Sequence, residues 1–352
     1  MKHLDRYIVK TVALSVLLVL AVLLGLDMVM SAISELQYLQ GEYRAPQALL
    51  YVLMTIPEGL YNVMPLAVLI GSLLGLGTLA NNSELVVMRA VGMSLAGISW
   101  AAIKPAIAFI FAALLVGEFV VPHSENHAQS HRALAESSGQ AVSSKHGYWH
   151  REGDLYMHFN AVLPDGVIYG VTQYDFQQQK LRKSLFAQRA SFQGDHWLLH
   201  NVTVSELSER GVQVGDYSSL RWYTELTPEV LKVVVVDPTD LSITGLYTYT
   251  NYLKEQGLDA KRYLLAFWKK VLQPLAMIVM VLVALSCIFG PLRSVTTGYR
   301  IFSGVILGML VRYTEDFLGP ASIVFGFEPV LASLLPISLF AVAAVWLLKR
   351  AA

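Results

Sequence analysis

Six stretches of the chain reach the roughly 20 apolar residues that a helix needs to cross hydrocarbon, where each segment must satisfy its own backbone polar groups. They run over Thr11 to Ile33, Gly59 to Ala80, Ile98 to Val121, Val271 to Leu292, Ile301 to Gly319 and Pro329 to Leu348. The second, fourth and last hold no charged residue, the first holds Asp27, and the third holds Lys104 and Glu118. The fifth is unusual, with Arg312, Glu315 and Asp316 in its second half. Charged residues make up only 15% of the 352, against about a quarter in soluble domains, which excludes an ordinary soluble enzyme. The balance of 26 basic against 26 acidic residues leaves no basic face for nucleic acid. The chain therefore reads as an integral membrane protein with three transmembrane helices before a soluble insert and three after it.

Lys2, Arg6 and Lys10 precede the first span, whose apolar run exceeds that of a signal peptide and lacks a good cleavage site, so it reads as an uncleaved anchor. Basic residues in short loops set orientation. Lys2, Arg6, Lys10, Arg89, Lys104, Arg293, Arg300, Lys349 and Arg350 mark one side, against only Arg44 on the other. Both termini are thus expected in the cytoplasm and the insert outside. Lys254, Lys261, Arg262, Lys269 and Lys270 oppose that rule, but long translocated domains largely escape it.

The domain reading is 1–121 for helices one to three, 122–270 for the insert, and 271–352 for helices four to six. Within the insert, Leu155 to Phe159, Val167 to Phe176 and Trp197 to Val204 are rich in β-branched and aromatic residues. Turn signals at Pro164-Asp165-Gly166, Gln193-Gly194-Asp195 and Glu209-Arg210-Gly211 punctuate them, which predicts a sandwich or jelly roll. His123 to Ser138 and Ile243 to Lys270 read as helical connectors. The lone cysteine, Cys287, excludes a disulfide within the chain.

His123, His127 and His131 recur every four residues around Glu125, a face that could hold a metal, yet the order is not His-Glu-x-x-His. A polar juxtamembrane helix is the plainer reading, and no metal or cofactor is expected. There is no Gly-x-Ser-x-Gly elbow and no Gly-x4-Gly-Lys-Ser/Thr phosphate loop, so catalysis and ATP binding are not expected of this chain itself. Residues 81–92, between the second and third spans, read as a short amphipathic helix capped by Ser83 and ended by Gly92. Leu85, Val86 and Met88 would supply its apolar face, with Glu84 and Arg89 available for salt bridges. Such a helix either docks a soluble partner or lies on lipid headgroups; its few basic residues favour docking.

Leu4-Asp5-Arg6-Tyr7-Ile8, Ser83 to Met88, Asp237-Pro238 followed by Leu241 to Leu246, and Phe289-Gly290-Pro291-Leu292-Arg293-Ser294-Val295 together resemble the LptF/LptG permeases of the bacterial lipopolysaccharide exporter. The resemblance runs the whole length, with the LptG branch as the nearer of the two. It implies six transmembrane helices with a periplasmic β-jelly-roll insert in the bacterial inner membrane. It also implies an LptF-like heterodimeric partner, two LptB-like ATPase subunits and an LptC-like membrane-anchored bridge protein. The implied role is to extract lipopolysaccharide from the outer leaflet and pass it to a periplasmic bridge. Residues 81–92 then resemble the coupling helix, Glu84 falls on the acid that contacts the ATPase, and the first and fifth helices line the central cavity. The family's basic residues after the first helix are missing from Ser31 to Tyr38, and Pro57-Glu58 puts an acid at the mouth of the second. Arg44, Arg132, Lys261 and Arg262 are substitutes for phosphate contact by chemistry alone.

Charges inside spans are costly and tend to face a cavity or a partner. Arg312 lies three and four residues before Glu315 and Asp316, close enough to pair on a helix, and Asp27 lies at similar depth. Either Arg312 lines the lipid cavity with the acids holding it when empty, or the group is a permanent ion pair that fixes packing. Two other classes, a membrane-anchored assembly factor and an intramembrane hydrolase, remain as alternatives. Gly71, Gly75 and Gly77, which allow close helix approach, argue against spans that merely anchor.

Overall fold

A computed structural model describes residues 2–37, 44–136, 148–162, 167–177, 180–208, 211–224, 226–228, 231, 238–239, 241–255, 259–289 and 295–351. The expected turns at 164–166 and 209–210, Asp237, and residues 290–294 of the last family motif lie outside them. The chain divides into two compact units: Met1–Val29, Ile56–Phe119 and Asp259–Ala352 in one, Met30–Thr55 and Val120–Leu258 in the other.

The helices are α1 (Lys2–Leu36), α2 (Ala45–Met54), α3 (Ile56–Asn81), α4 (Glu84–Ala90), α5 (Leu95–Leu115) and α6 (Val121–Glu136) before the sheet. After it come α7 (Ile243–Glu255), α8 (Lys261–Phe289), α9 (Thr297–Phe325) and α10 (Pro329–Ala351). A π-helical turn, Val116–Val120, joins α5 to α6, so the third span runs on into its expected connector. Among the described residues, α1, α3, α5 with α6, α8 and α10 are long and apolar enough to cross a membrane. The expected charged fifth span is α9, 29 residues or about 43 Å at helical rise, long enough for the crossing but not one of the five helices that are also apolar enough. The expected connector from Ile243 to Lys270 is two helices, and Lys261, Arg262, Lys269 and Lys270 belong to α8 itself.

Glycine decides how closely the helices of the first unit approach. A Cβ at Gly71 would lie 2.5 Å from the Cα of Val16, and one at Gly75 3.0 Å from the Cα of Val12, so α1 crosses α3 backbone to backbone. Gly304 and Gly308 of α9 instead receive the side chains of Leu73 and Leu66 of α3. The apolar stretches of α3 and α8 are 67% and 61% buried against 22% for α1, which makes them the inner pair. Arg300, counted by sequence among loop cations, is 1% exposed, and its Nη1 donates to the carbonyl of Gly77 at 2.8 Å. Lys104 of α5 meets Asp5 of α1 at 2.5 Å.

The insert forms one antiparallel sheet in chain order: β1 (Tyr148–Glu152), β2 (Leu155–Val162), β3 (Val167–Gln177), β4 (Lys180–Phe192), β5 (Trp197–Ser208) and β6 (Gly211–Trp222). Gly153, φ 59°, opens the two-residue β1–β2 loop, and Gly194, φ 100°, sits in the expected β4–β5 turn. One transverse row interrupts the ladder: Asn160, Gly170, Gln188, Asn201 and Ser218 are skipped while the pairing on either side keeps register. Gly170 (φ 63°) and Asn201 (φ 52°) adopt left-handed conformations there, and Asn201 Nδ2 donates to Gln188 Oε1 at 2.7 Å. A Cβ at Gly170 would collide with Asn160, so glycine is required.

Across this row the buried positions change parity: Phe159 gives way to Val162, Val171 to Ile168, Ala187 to Ala190 and Val202 to Leu199. The sheet therefore folds over along the row and its two halves enclose one core, closed by Trp197, Trp222 and Leu226. Flat strands four spacings apart would stand about 19 Å from each other. The rings of Phe159 on β2 and Trp222 on β6 are instead 6.4 Å apart. The expected β-domain is formed, among the described residues, by a single hairpin-connected antiparallel sheet folded over on itself.

Candidate functional site

The turn between α3 and α5 presents α4. Ser83 takes a left-handed conformation, φ 62°, and its side chain makes no cap; its carbonyl instead accepts from Val86 and Val87. Asn82 Nδ2 donates to Glu84 Oε1 at 3.1 Å, and the Tyr7 hydroxyl of α1 hydrogen-bonds the same carboxylate. Gly92, φ 94°, ends the helix. Leu85 and Met88, expected on the outward face, are 3% and 4% exposed and hold the helix onto the chain. The apolar side chains left accessible are Val86, Val87 and Val91, beside exposed Arg89. A seven-residue helix cannot show the same side to the core and to a partner, and its two largest apolar groups went to the core.

The charges of the spans separate into three places. Asp27 sits against the first turn of α3, where a Cβ at Gly59 would lie 2.5 Å from its Oδ2, a position that suits a carboxylate near a helix N-terminus. Arg312 Nε lies 3.8 Å from Asp316 Oδ2, as the spacing on α9 predicts, and Lys269 Nζ of α8 lies 3.7 Å from the other oxygen of the same carboxylate. Glu315 interacts electrostatically with Lys269, Asp316 and Arg312. Lys269 is the member that sequence reasoning left out, since its partner is distant in the chain. Its neighbour Lys270 turns the other way, is 5% exposed, and holds its ammonium 5.1 Å above the Tyr61 ring. That ring also packs on Gly117 of the π-helical turn, where a Cβ would lie 2.5 Å from it.

The substitutes for phosphate contact are also dispersed. Arg132 is engaged: its Nε lies 3.4 Å from Glu35 Oε1, and its guanidinium stands 5.3 Å over the Tyr51 ring. Gln129 Nε2 donates to both the Tyr51 hydroxyl and Glu125 Oε1, so α1, α2 and α6 share a buried polar network. Burial, with Glu125 adding to it, pushes the Tyr51 hydroxyl well above the ordinary phenol range. Arg44 begins α2, where its backbone N–H donates to Gln47 Oε1. Lys261 and Arg262 open α8, with Asp259 accepting from the Lys261 backbone.

The family model for the lipopolysaccharide export system permease LptF/LptG matches residues 6–350. The chain belongs to this family. Among its relatives are the lipopolysaccharide export system permease protein LptG of Escherichia coli K12, 38% identical over 352 residues, covering 99% of this chain and 98% of the relative. The LptG of Haemophilus influenzae is 37% identical over 351 residues, with 99% and 98% covered. The placement on the LptG branch therefore stands, and so does the membrane fold with its inserted β-domain.

In this LptF/LptG permease the histidines at 123, 127 and 131 are all exposed on α6, opposite the face that carries Glu125 and Ala128. Among the described residues no group of three or more His, Cys, Asp or Glu is arranged to hold a metal. The buried groups that sequence reasoning missed, Glu35, Lys270 and Arg300, gave one available signal. Each is a charge at the edge of an apolar run, a place where snorkelling to water and burial against a partner look alike in one dimension.

Proposed function

We propose that this chain is the LptG-type permease subunit of an ATP-driven exporter that takes lipopolysaccharide from the outer leaflet of the inner membrane and hands it to a periplasmic bridge. Its termini face the cytoplasm and the folded sheet lies in the periplasm. An LptF-like permease is its heterodimeric partner, two LptB-like subunits hydrolyse ATP, and an LptC-like protein adds a helix beside the pair. The observation that carries this reading is the family match over nearly the whole chain, spans and insert alike. The absence of a phosphate loop from the sequence fits a subunit that takes its energy from a separate ATPase.

Coupling runs through α4. Val86, Val87 and Val91 enter a groove of the ATPase, while buried Leu85 and Met88 transmit its displacement to α3 and Glu84, held by Tyr7, passes it to α1. Arg312, Glu315, Asp316 and Asp27 belong to the two helices, α9 and α1, that line the lipid path. The test is purification of the assembled complex in mild detergent. The wild type is expected to bring an ATPase with it; Val87→Asp is expected to lose that ATPase while its melting temperature holds, since exposed substitutions change stability by only about 0.5 kcal/mol. An ATPase retained in full by Val87→Asp would remove α4 from the coupling path. A histidine-dependent hydrolytic activity in the same preparation would favour the hydrolase reading.

A further inference from the structure

We propose that Lys269, Asp316 and Arg312 form an anion site for a phosphate on the headgroup of the exported lipid, an inference that rests on the transport reading above. Lys269 lies eight residues into α8, at the end of the helices where the chain arrives from the insert and just before the apolar run begins at Val271. Lys269 lies over Gly319 of α9, where a Cβ would be in ordinary contact with its ammonium at 3.6 Å. The packed side of α9 is marked by Gly304, Gly308, Val311 and Gly319. Arg312 stands at the margin of that side, one turn from Gly308, 67% exposed, and borders the outward face of Met309, Tyr313 and Phe317, which are 46%, 62% and 73% exposed. A cation in an apolar and aromatic surface at the level where hydrocarbon begins matches an amphiphile with an anionic head.

The ion pairs on that surface are long enough for a stronger anion to displace. Charge-assisted hydrogen bonds between nitrogen and carboxylate run at about 2.7–2.9 Å. The two contacts of Asp316 are 3.7 and 3.8 Å, and Glu315 adds a second carboxylate beside the same two cations. Phosphate oxygens reach two cations at once, and guanidinium suits them in particular. Asp316, 56% exposed, is free to turn to water when the phosphate arrives. The carboxylate thus occupies the site in the lipid's absence and competes with it.

That competition fixes opposite signs for the variants. In the assembled complex, reconstituted in nanodiscs with lipopolysaccharide, a photocrosslinker in place of Tyr313 reports capture. Asp316→Asn is expected to raise the yield about threefold, and Lys269→Gln or Arg312→Gln to lower it roughly fivefold, with Arg312→Lys keeping a substantial part. Lipopolysaccharide stripped of its lipid phosphates is expected to crosslink equally in all of them. A purely structural triad would lose yield and melting temperature alike in every variant, Asp316→Asn included, and that pattern overturns the site. Free phosphate as the true ligand would show as loss of capture on adding inorganic phosphate, with stripped lipid captured as well as native, and this too overturns it. A second crosslinker in place of Phe302, on the same face, separates the two levels of inference. Capture there with a charge-independent signal at 313 sinks the anion site and leaves transport standing, whereas no capture at either position sinks both.

Discussion

The helical unit and the sheet unit use the same residue types in opposite places. In the sheet unit the largest buried side chain is Trp197, fully enclosed, with its indole N–H donating to the carbonyl of Leu226 at 2.7 Å. In the helical unit one of the largest is Arg300, while Leu18, Phe302, Phe317 and Val342 face outward at 60% exposure or more. Apolar burial drives the first unit's counterpart in water. It cannot drive association of helices whose alternative surroundings are already lipid tails, and there close backbone approach and a few buried polar contacts take over. The contrast teaches that a buried cation and a bare glycine are the packing elements of one unit, and an aromatic pair those of the other.

Substitutions at three positions would break or sharpen this contrast. The largest effect is expected from Trp197→Ala, which removes the centre of the sheet's core and orphans the Leu226 carbonyl, at a cost of about 3–5 kcal/mol. Limited proteolysis of the whole protein in detergent should then cut the insert and spare the helices; equal resistance in mutant and wild type would contradict a single core. Arg300→Ala should cost about 1–3 kcal/mol by leaving the Gly77 carbonyl without its donor, and Arg300→Lys should recover part of it. Thermal melting in detergent checks both, and an unchanged melting temperature for Arg300→Ala would deny the pin between α9 and α3.

The smallest effect concerns His150. It is 7% exposed, stacked 6.4 Å from Tyr252, and its Nε2 has no hydrogen-bond partner among the described residues. Burial lowers its pKa below the ordinary 6.5, with Glu152 opposing. The unfolded chain therefore binds the proton more readily, so the sheet's stability is complete above about pH 6.5 and declines as pH falls toward the folded value. Melting of the insert between pH 8 and 5 should show this decline, and His150→Asn should flatten it. A wild-type profile that rises on acidification would reverse the sign and refute the assignment.

Reading the chain in one dimension located five apolar spans and a charged sixth, the helical run from His123, and strands β2, β3 and β5. Strands β4 and β6 were harder to see because polar residues such as Lys183, Arg189, Gln213 and Asp216 cover their open faces. The pairing of Arg312 with Asp316 was legible because both lie on one helix, one turn apart. The third member, Lys269, was not, because helix spacing carries no information about which face a neighbouring helix will meet. The α4 segment was recognised as a short helix with one apolar face of Leu85, Val86 and Met88, yet the structure turns Leu85 and Met88 inward and leaves Val86 exposed, a division that depended on α3 and could not be read from its seven residues.

What the amino-acid sequence by itself determined is the alternation of solvents along the chain: where hydrocarbon, where water, and where the insert begins. Transfer free energy is a sum over neighbouring residues, so it survives in a linear string. What the tertiary structure alone decided is direction: Leu85 and Met88 inward, Lys269 and Lys270 apart, and a fold line through Gly170 and Asn201 that reverses the inner face of β2 to β5. Direction depends on residues brought together from distant parts of the chain, and closing those distances is the work of packing.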